Sequence, residues 1–433
     1  MTLAHFGWFL GAGFGVQGWG DATYGIGYDW KQPTIYQDAA RLFEASGLDL
    51  FVIEDGVAVP DTYRGTAEVN LAAARFVPKH DPIPLVPYLL GATSRVGIVP
   101  TLSASFTEPY TAARLLATLQ HFAGGRLGFN VVTSGSDLAA QNYGLEKQTE
   151  HDLRYDRADE WVDVVRALWR SWEPGAIVED VERGVFADHT KVHRIDHEGR
   201  FFRVRGPLNA LPPAEEPVLV QAGASGRGRD FAGRHADVIL ALASTPERMK
   251  AHRDDVRAAA AAQGRDPDEL TVLFVVNPVP TATPSETAAV RERRTALTQA
   301  GIDEQLQSIS YLTNVDFGRF DLDEPLPELA TNSNQGTLDN FLRSAPPGVT
   351  LREILAARAR NDGLAVIGSP TEIADRLGEL AEGSGADGFL FTGQVHPAHV
   401  HRTLDPLVPA LRAAGLLRDE LGSGGLRANL ADF

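Results

Sequence analysis

The chain has 433 residues, 43% of them hydrophobic and 22% charged, which is ordinary globular composition with ample material for a large core. Its formal net charge of −17 argues against nucleic acid and against anionic membrane surfaces as partners, because both need clustered lysine and arginine. Without a single cysteine, it has no disulfide, thiolate metal site, cysteine nucleophile or iron–sulfur cluster.

Short apolar runs alternate with helical patterns almost from end to end. His5–Leu10 reads as a first buried strand, 33–47 as a helix bounded by Pro33 and Gly47, and 48–54 as a second strand running into Asp55. A third strand, 95–100, leads into Thr101 and Ser103. The helix that follows, 109–122, ends at the tight turn Gly124-Gly125. Strand four, 126–132, leads into Thr133-Ser134, and a long helix over about 152–172 carries Trp161, Val164, Val165, Leu168 and Trp169 on one face. Strands at 217–221, 237–241, 271–276 and 387–391 complete a set of eight, with helices at 247–263, from about 285, at 370–382 and at 397–414. Eight strands with interposed helices imply an α/β fold, a TIM-type (β/α)₈ barrel with insertions, read as one domain over 1–433.

Three stretches fall outside the repeat, at about 57–91, 178–211 and 301–362. The second alternates around His197-Glu198-Gly199 like a hairpin. The third carries the loop signals Asn332-Ser-Asn-Gln-Gly336 and Pro346-Pro-Gly348 and reads as a mobile lid. The Gly-rich tail after Leu417 reads as an arm. With no basic leader and no apolar run near the ~18–20 residues of a membrane span, a cytoplasmic protein with no membrane partner is expected.

In such a barrel the chemistry sits at the C-terminal strand ends. There stand Asp55, Thr101 with Ser103, Asn130 through Ser134, and Gly223 through Ser225. No metal-ligand spacing appears among them. The histidines at 193, 197, 396, 399 and 401 read as solvated loop residues. The glycines of 11–15 open no helix and so give no dinucleotide fingerprint. Polar, weakly titrating ends suit a site whose cofactor brings the reactivity. Gly223-Ala-Ser225-Gly226 opens a helix and suits either a phosphate or a plain helix cap; His151 and Tyr155, four apart, suit either a ligand or a polar first turn.

The run Gly124-Gly-Arg-Leu-Gly-Phe-Asn-Val-Val-Thr-Ser134 is followed in order by Asn142-Tyr-Gly144, His151-Asp-Leu-Arg-Tyr-Asp-Arg-Ala-Asp-Glu160, Val185-Phe-Ala-Asp188, Lys191-Val-His193, Gly206-Pro-Leu208 and Gln221-Ala-Gly-Ala-Ser225. This series resembles the nitrilotriacetate monooxygenase / dibenzothiophene sulfone monooxygenase family of the bacterial luciferase-like flavin-dependent superfamily. The resemblance implies a monooxygenase that uses FMN as FMNH₂, supplied by a separate NAD(P)H:flavin reductase, and O₂, inserting one oxygen into a small organic substrate through a flavin peroxide. It places Asp55, Asn130 and Ser134 along the flavin ring or ribityl chain, with Ser103 and Thr133 beside them. His151, Tyr155 and Ser225, with backbone near Ala224 and Gly226, would hold the phosphate, and Thr101 and Asn130 would form the catalytic pair. A homodimer or homotetramer is expected. A deazaflavin-dependent oxidoreductase of the same superfamily and a non-catalytic flavin-binding paralogue are the alternatives. Phe129 stands where the family usually has tryptophan. Trp19-Gly-Asp21 and Tyr28-Asp-Trp30 replace its Trp-Arg-His pattern, and the aromatic residues Phe14, Trp19, Tyr24, Tyr28 and Trp30 could wall a substrate pocket. The segment 332–360 matches no relative. All three departures are expected near that pocket.

Overall fold

The computed structural model describes residues 3–11, 15–223, 225–243, 245–344, 346–360 and 365–433. Its centre is a closed ring of eight parallel strands: β1 (His5–Leu10), β2 (Leu50–Ile53), β3 (Gly97–Ser103), β4 (Gly128–Val132), β5 (Val218–Gln221), β6 (Val238–Ala241), β7 (Thr271–Pro280) and β8 (Gly388–Thr392). Each strand pairs in parallel with its sequence neighbours, and β8 pairs with β1 to close the ring, so the expected (β/α)₈ barrel is what forms.

Strand alternation divides the core in two. One set of side chains, including Leu50, Val52, Val99, Val218, Val220, Leu273 and Leu390, fills the barrel interior. The alternate set, including Phe6, Phe51, Ile98, Phe129, Leu219 and Phe389, packs outward against the helices. The turn after helix Pro109–Ala123 needs two residues in the left-handed region, which Gly124 (φ 57°) and Gly125 (φ 86°) supply without a Cβ penalty.

Between β2 and β3, helix Pro82–Ala92 packs beside the helix Thr34–Ser46 and takes the barrel position that the 57–91 stretch had hidden. In the second stretch two antiparallel pairs form, His197–Glu198 with Arg203–Val204 as expected, and Ile177–Asp180 with Val185–Ala187, which the sequence reading lacked. The third stretch differs most from its expected loop character. Helices Gln299–Thr313, Gln335–Leu342 and Leu351–Arg360 share a core of their own, in which Ile302, Leu306 and Ile309 meet Phe317, Leu338, Phe341 and Leu355. The side chain of Asn334, inside the supposed loop signal, caps the second of these helices by accepting from the Thr337 amide at 3.1 Å.

The tail is not a free arm. It folds under the N-terminal end of the barrel, where Leu426 is fully buried among the interior residues and Arg418 pairs with the buried Asp49 at 3.0 Å. Among the described residues, no helix is long and apolar enough to cross a membrane.

Candidate active site

A cavity of about 240 Å³ opens over the C-terminal ends of β2, β4 and β5. Asp55, Thr133, Ser134, His151, Tyr155 and Ser225 all line it, so residues up to 170 positions apart, Asp55 and Ser225, converge as the strand-end argument requires. Ser103 stands beside them, its hydroxyl 2.8 Å from that of Ser134. Ser134 is held at φ 43°, unusual for a residue with a Cβ, and its carbonyl accepts from the side chain of Gln148. Ala224 lies outside the described residues.

At one end of the cavity, Ser225 caps the ten-residue helix Gly226–His235, its hydroxyl accepting from the Gly228 amide at 3.0 Å. The buried Tyr155 hydroxyl faces the side chains of Ser225 and Thr133, whose polar groups oppose the rise that burial gives its phenol. A Cβ at Gly228 would lie 2.9 Å from both the Ser225 and Tyr155 oxygens, whereas one at Gly226 would meet nothing within 4 Å. The result is an open helix N-terminus rimmed by two hydroxyls, the arrangement that suits a dianionic phosphate. The His151 ring stacks obliquely on Tyr155 at 5.2 Å between centroids and commits Nδ1 to Asp152 at 2.6 Å, leaving Nε2 available.

At the other end lies Asp55. Lys79 is committed to Glu54 at 2.9 Å, and one Asp55 oxygen accepts from the Gly56 amide at 2.8 Å. Burial, opposed by the charge of Lys79, pushes the Asp55 carboxyl up to about 6. Below its unfolded value near 3.8 the group is protonated in both states; between there and about 6 the folded chain keeps a proton that the unfolded chain releases. Stability therefore falls across that window and stays lowered above it. The full shift converts to about 3 kcal/mol, which partial solvent screening brings to roughly 1–2 kcal/mol. Asp55→Asn is thus expected to stabilise the flavin-free protein by about 1–2 kcal/mol in urea unfolding near pH ~7.5, with the gain vanishing below pH ~4. A variant no more stable than the parent at the higher pH would contradict this.

Thr101 and Asn130 form a register pair across β3 and β4, and the Asn130 amide donates to the Thr101 hydroxyl at 2.9 Å. Both are buried and face the barrel interior, beneath the cavity rather than among the residues that line it. Phe129, by alternation, points the other way, edge-on to Trp169 at 6.3 Å in the outer layer. Its departure from tryptophan therefore lies away from the cavity, contrary to expectation.

The sequence reading gave no role to several lining residues, among them Gln221, Arg154 and Tyr311. Gln221 and Arg154 lay inside quoted segments without a role. Tyr311 lies in the third insertion, which roofs the cavity together with Leu312, Ser333 and Asn334. The roof is tied down by Arg154, whose guanidinium donates to the carbonyls of Thr149, Asn332 and Ser333 at 2.6, 2.9 and 3.2 Å. Burial raises the Tyr311 phenol, with the neighbouring Glu54 and Asp55 adding to the effect, so it stays neutral. Among the described residues the Gln221 side-chain oxygen, buried at the cavity wall, has no hydrogen-bond partner, an acceptor waiting for a donor.

Comparison with known proteins agrees with this geometry. The luciferase-like monooxygenase family matches residues 5–388. Dibenzothiophene-sulfone monooxygenase of Rhodococcus erythropolis is 35% identical over 93% of this chain and 90% of its own length. Nitrilotriacetate monooxygenase component A of Aminobacter aminovorans is 34% identical over 91% of this chain and 89% of its own. The crystal structure of a riboflavin lyase with modified FMN and riboflavin superposes with a TM-score of 0.87 at 30% identity, covering 100% of this chain and 96% of that one. The chain belongs to the luciferase-like monooxygenase family and is a flavin-dependent monooxygenase.

Proposed function

We propose that the protein is the oxygenase component of a two-component system, taking reduced FMN from a separate NAD(P)H:flavin reductase and inserting one atom of O₂ into a small organic substrate. The other oxygen atom leaves as water, and FMN is released oxidised. The observation that carries this reading is the cradle of Tyr155, Ser225 and the Gly226 helix end, which suits a phosphate and lies at one end of a cavity whose wall holds the Gln221 oxygen, unpartnered among the described residues. Reduced FMN, when bound, supplies the two electrons that activate O₂.

The chain's own residues have the remaining tasks. Tyr155, Ser225 and His151 hold the phosphate; Asp55, Ser103, Thr133 and Ser134 offer hydrogen bonds along the rest of the cofactor. Tyr311 and Leu312 on the roof keep water out, which favours oxygenation over wasteful release of H₂O₂. A homodimer or homotetramer is part of the proposal, supported by the exposed apolar residues Val181 and Phe186 on the Ile177–Ala187 hairpin.

Supplied with NADH, FMN and a generic flavin reductase, the protein should convert a substrate that neither protein converts alone. Tyr155→Phe and Ser225→Ala should each weaken FMNH₂ binding roughly tenfold, the loss of one hydrogen bond to a charged group. Rapid NADPH oxidation by this protein and FMN without a reductase would overturn the two-component reading, and undiminished flavin affinity in both variants would overturn the phosphate site.

A further inference from the structure

A second cavity, about 420 Å³, lies over the ends of β7, β8 and β1, on the opposite side of the barrel mouth from the flavin cradle. Two of the histidines expected on solvated loops, His396 and His399, line it. The loop after β1 folds onto the loop after β8: the Gly18 amide donates to the Gln394 side chain at 2.6 Å, and the Val395 amide donates to that of Gln17 at 2.9 Å. This contact buries His396 almost completely and sets its ring nitrogen 3.1 Å from the Thr23 hydroxyl.

The chemistry of the cavity is lopsided. Asn277 and Thr392 offer an amide and a hydroxyl, and Arg402 brings a guanidinium to the rim. Among the described residues Arg402 forms no hydrogen bond or ion pair within 4 Å, only a longer-range attraction to Asp21. Asp21, the one carboxylate of the lining, is turned to its own loop, where the Thr23 amide and hydroxyl donate to it at 2.8 and 2.6 Å. Burial holds His399 down at about 4, with Arg402 and His396 adding to the effect, so that its imidazole is neutral. On the remaining side the half-exposed Trp19 stands edge-on to Tyr24 at 5.3 Å, an aromatic wall. In a protein of net charge −17, a cation left unpaired at a cavity rim opposes the overall field and draws anions to that spot.

We infer that this cavity holds the organic substrate, and that it takes an organic oxyanion, a carboxylate or sulfonate on an apolar body, with Arg402 as the countercharge and Trp19 against the body. The inference rests on the monooxygenase reading for the word substrate, but binding can be read without turnover. The full-length protein with ¹⁵N-labelled histidine is titrated with benzoate, benzenesulfonate and the neutral compounds benzamide and methyl phenyl sulfone. The ring signals of His396 and His399 are assigned by His396→Gln and His399→Gln.

At least one oxyanion should shift those signals saturably and more tightly than its neutral counterpart; which of the two does so identifies the head group. Arg402→Gln, on an exposed helix position, should weaken oxyanion binding at least roughly tenfold. Signals unmoved at about 10 mM oxyanion, equal binding of the neutral compounds, or an Arg402→Gln protein that binds oxyanions as well as the parent would each overturn the assignment. FMN titrated in a separate experiment reads the other cavity, so a failed flavin site and a failed oxyanion site give different results.

Discussion

Replacing Leu426 by alanine is expected to cost about 3–5 kcal/mol, the upper part of the range for buried leucine. The reason is the neighbours. Leu426 enters the barrel from below, and a Cβ at Gly97 would stand 2.6 Å from its Cδ1, with one at Gly128 3.3 Å from its Cδ2. Glycines have no side chain with which to collapse into the vacated space, so most of the cavity persists. The same geometry gives a compensating change. Gly97→Ala alone should destabilise by roughly 1–3 kcal/mol through overpacking, yet beside Leu426→Ala its methyl occupies the gap. The double variant should therefore be more stable than the sum of the singles by at least about 1 kcal/mol in urea unfolding. Strict additivity would mean that the tail does not plug the barrel as drawn. Because the plug lies at the end opposite the strand termini that carry the chemistry, turnover per folded molecule should be unchanged at a temperature where the variant is folded.

What was legible in the sequence follows from what is local. The barrel strands are buried on both sides, so they read as short apolar runs, and His5–Leu10 has the same limits in sequence and structure. That Asp55, Thr133, Ser134 and Ser225 converge on one cavity was legible because strand ends in this architecture meet whatever the intervening loops do. Misreadings arose where a local pattern was outweighed by another signal or where distant contacts decide. Phe129 was placed by its departure from a motif, although alternation with the inward-facing Asn130 sends it outward. Ile302, Leu306 and Ile309 already showed helical spacing, but the Asn- and Pro-rich stretches beyond them dominated the reading of that insertion. His396 looked solvated because the Gln17–Thr23 loop that buries it lies some 370 residues away, as the Thr23–His396 separation of 373 shows. The Gly-rich tail, with leucines only at Leu421, Leu426 and Leu430, did not announce that Leu426 would find a barrel floor made open by Gly97 and Gly128.

The other large effect should appear at Thr101 and Asn130. The Asn130 amide donates to the Thr101 hydroxyl at 2.9 Å, while its own side-chain oxygen is buried with no partner among the described residues. That leaves one acceptor unsatisfied, and the Thr101 hydroxyl proton free to point elsewhere, in the top layer of the barrel interior beneath the mouth. We propose that this non-titrating pair serves the oxygen chemistry by hydrogen-bonding the flavin edge or the oxygen delivered to substrate. Thr101→Val keeps the shape and removes the hydroxyl; Asn130→Ala removes the amide. Both variants should still bind FMNH₂ yet divert turnover from product to H₂O₂. Loss of a hydrogen bond of ~1.5–3 kcal/mol to a charged oxygen slows the productive step roughly tenfold to a hundredfold. A pair that merely satisfies itself behaves differently. Asn130→Ala would then strand the Thr101 hydroxyl and lower stability, while the Thr101→Val/Asn130→Ala double variant, with both polar groups gone, would recover most of it, and the ratio of product to H₂O₂ would not move in any of the three. Measuring that ratio beside the unfolding free energy separates the two roles, because only a pair that handles oxygen changes the coupling of a protein that remains folded and loaded with flavin.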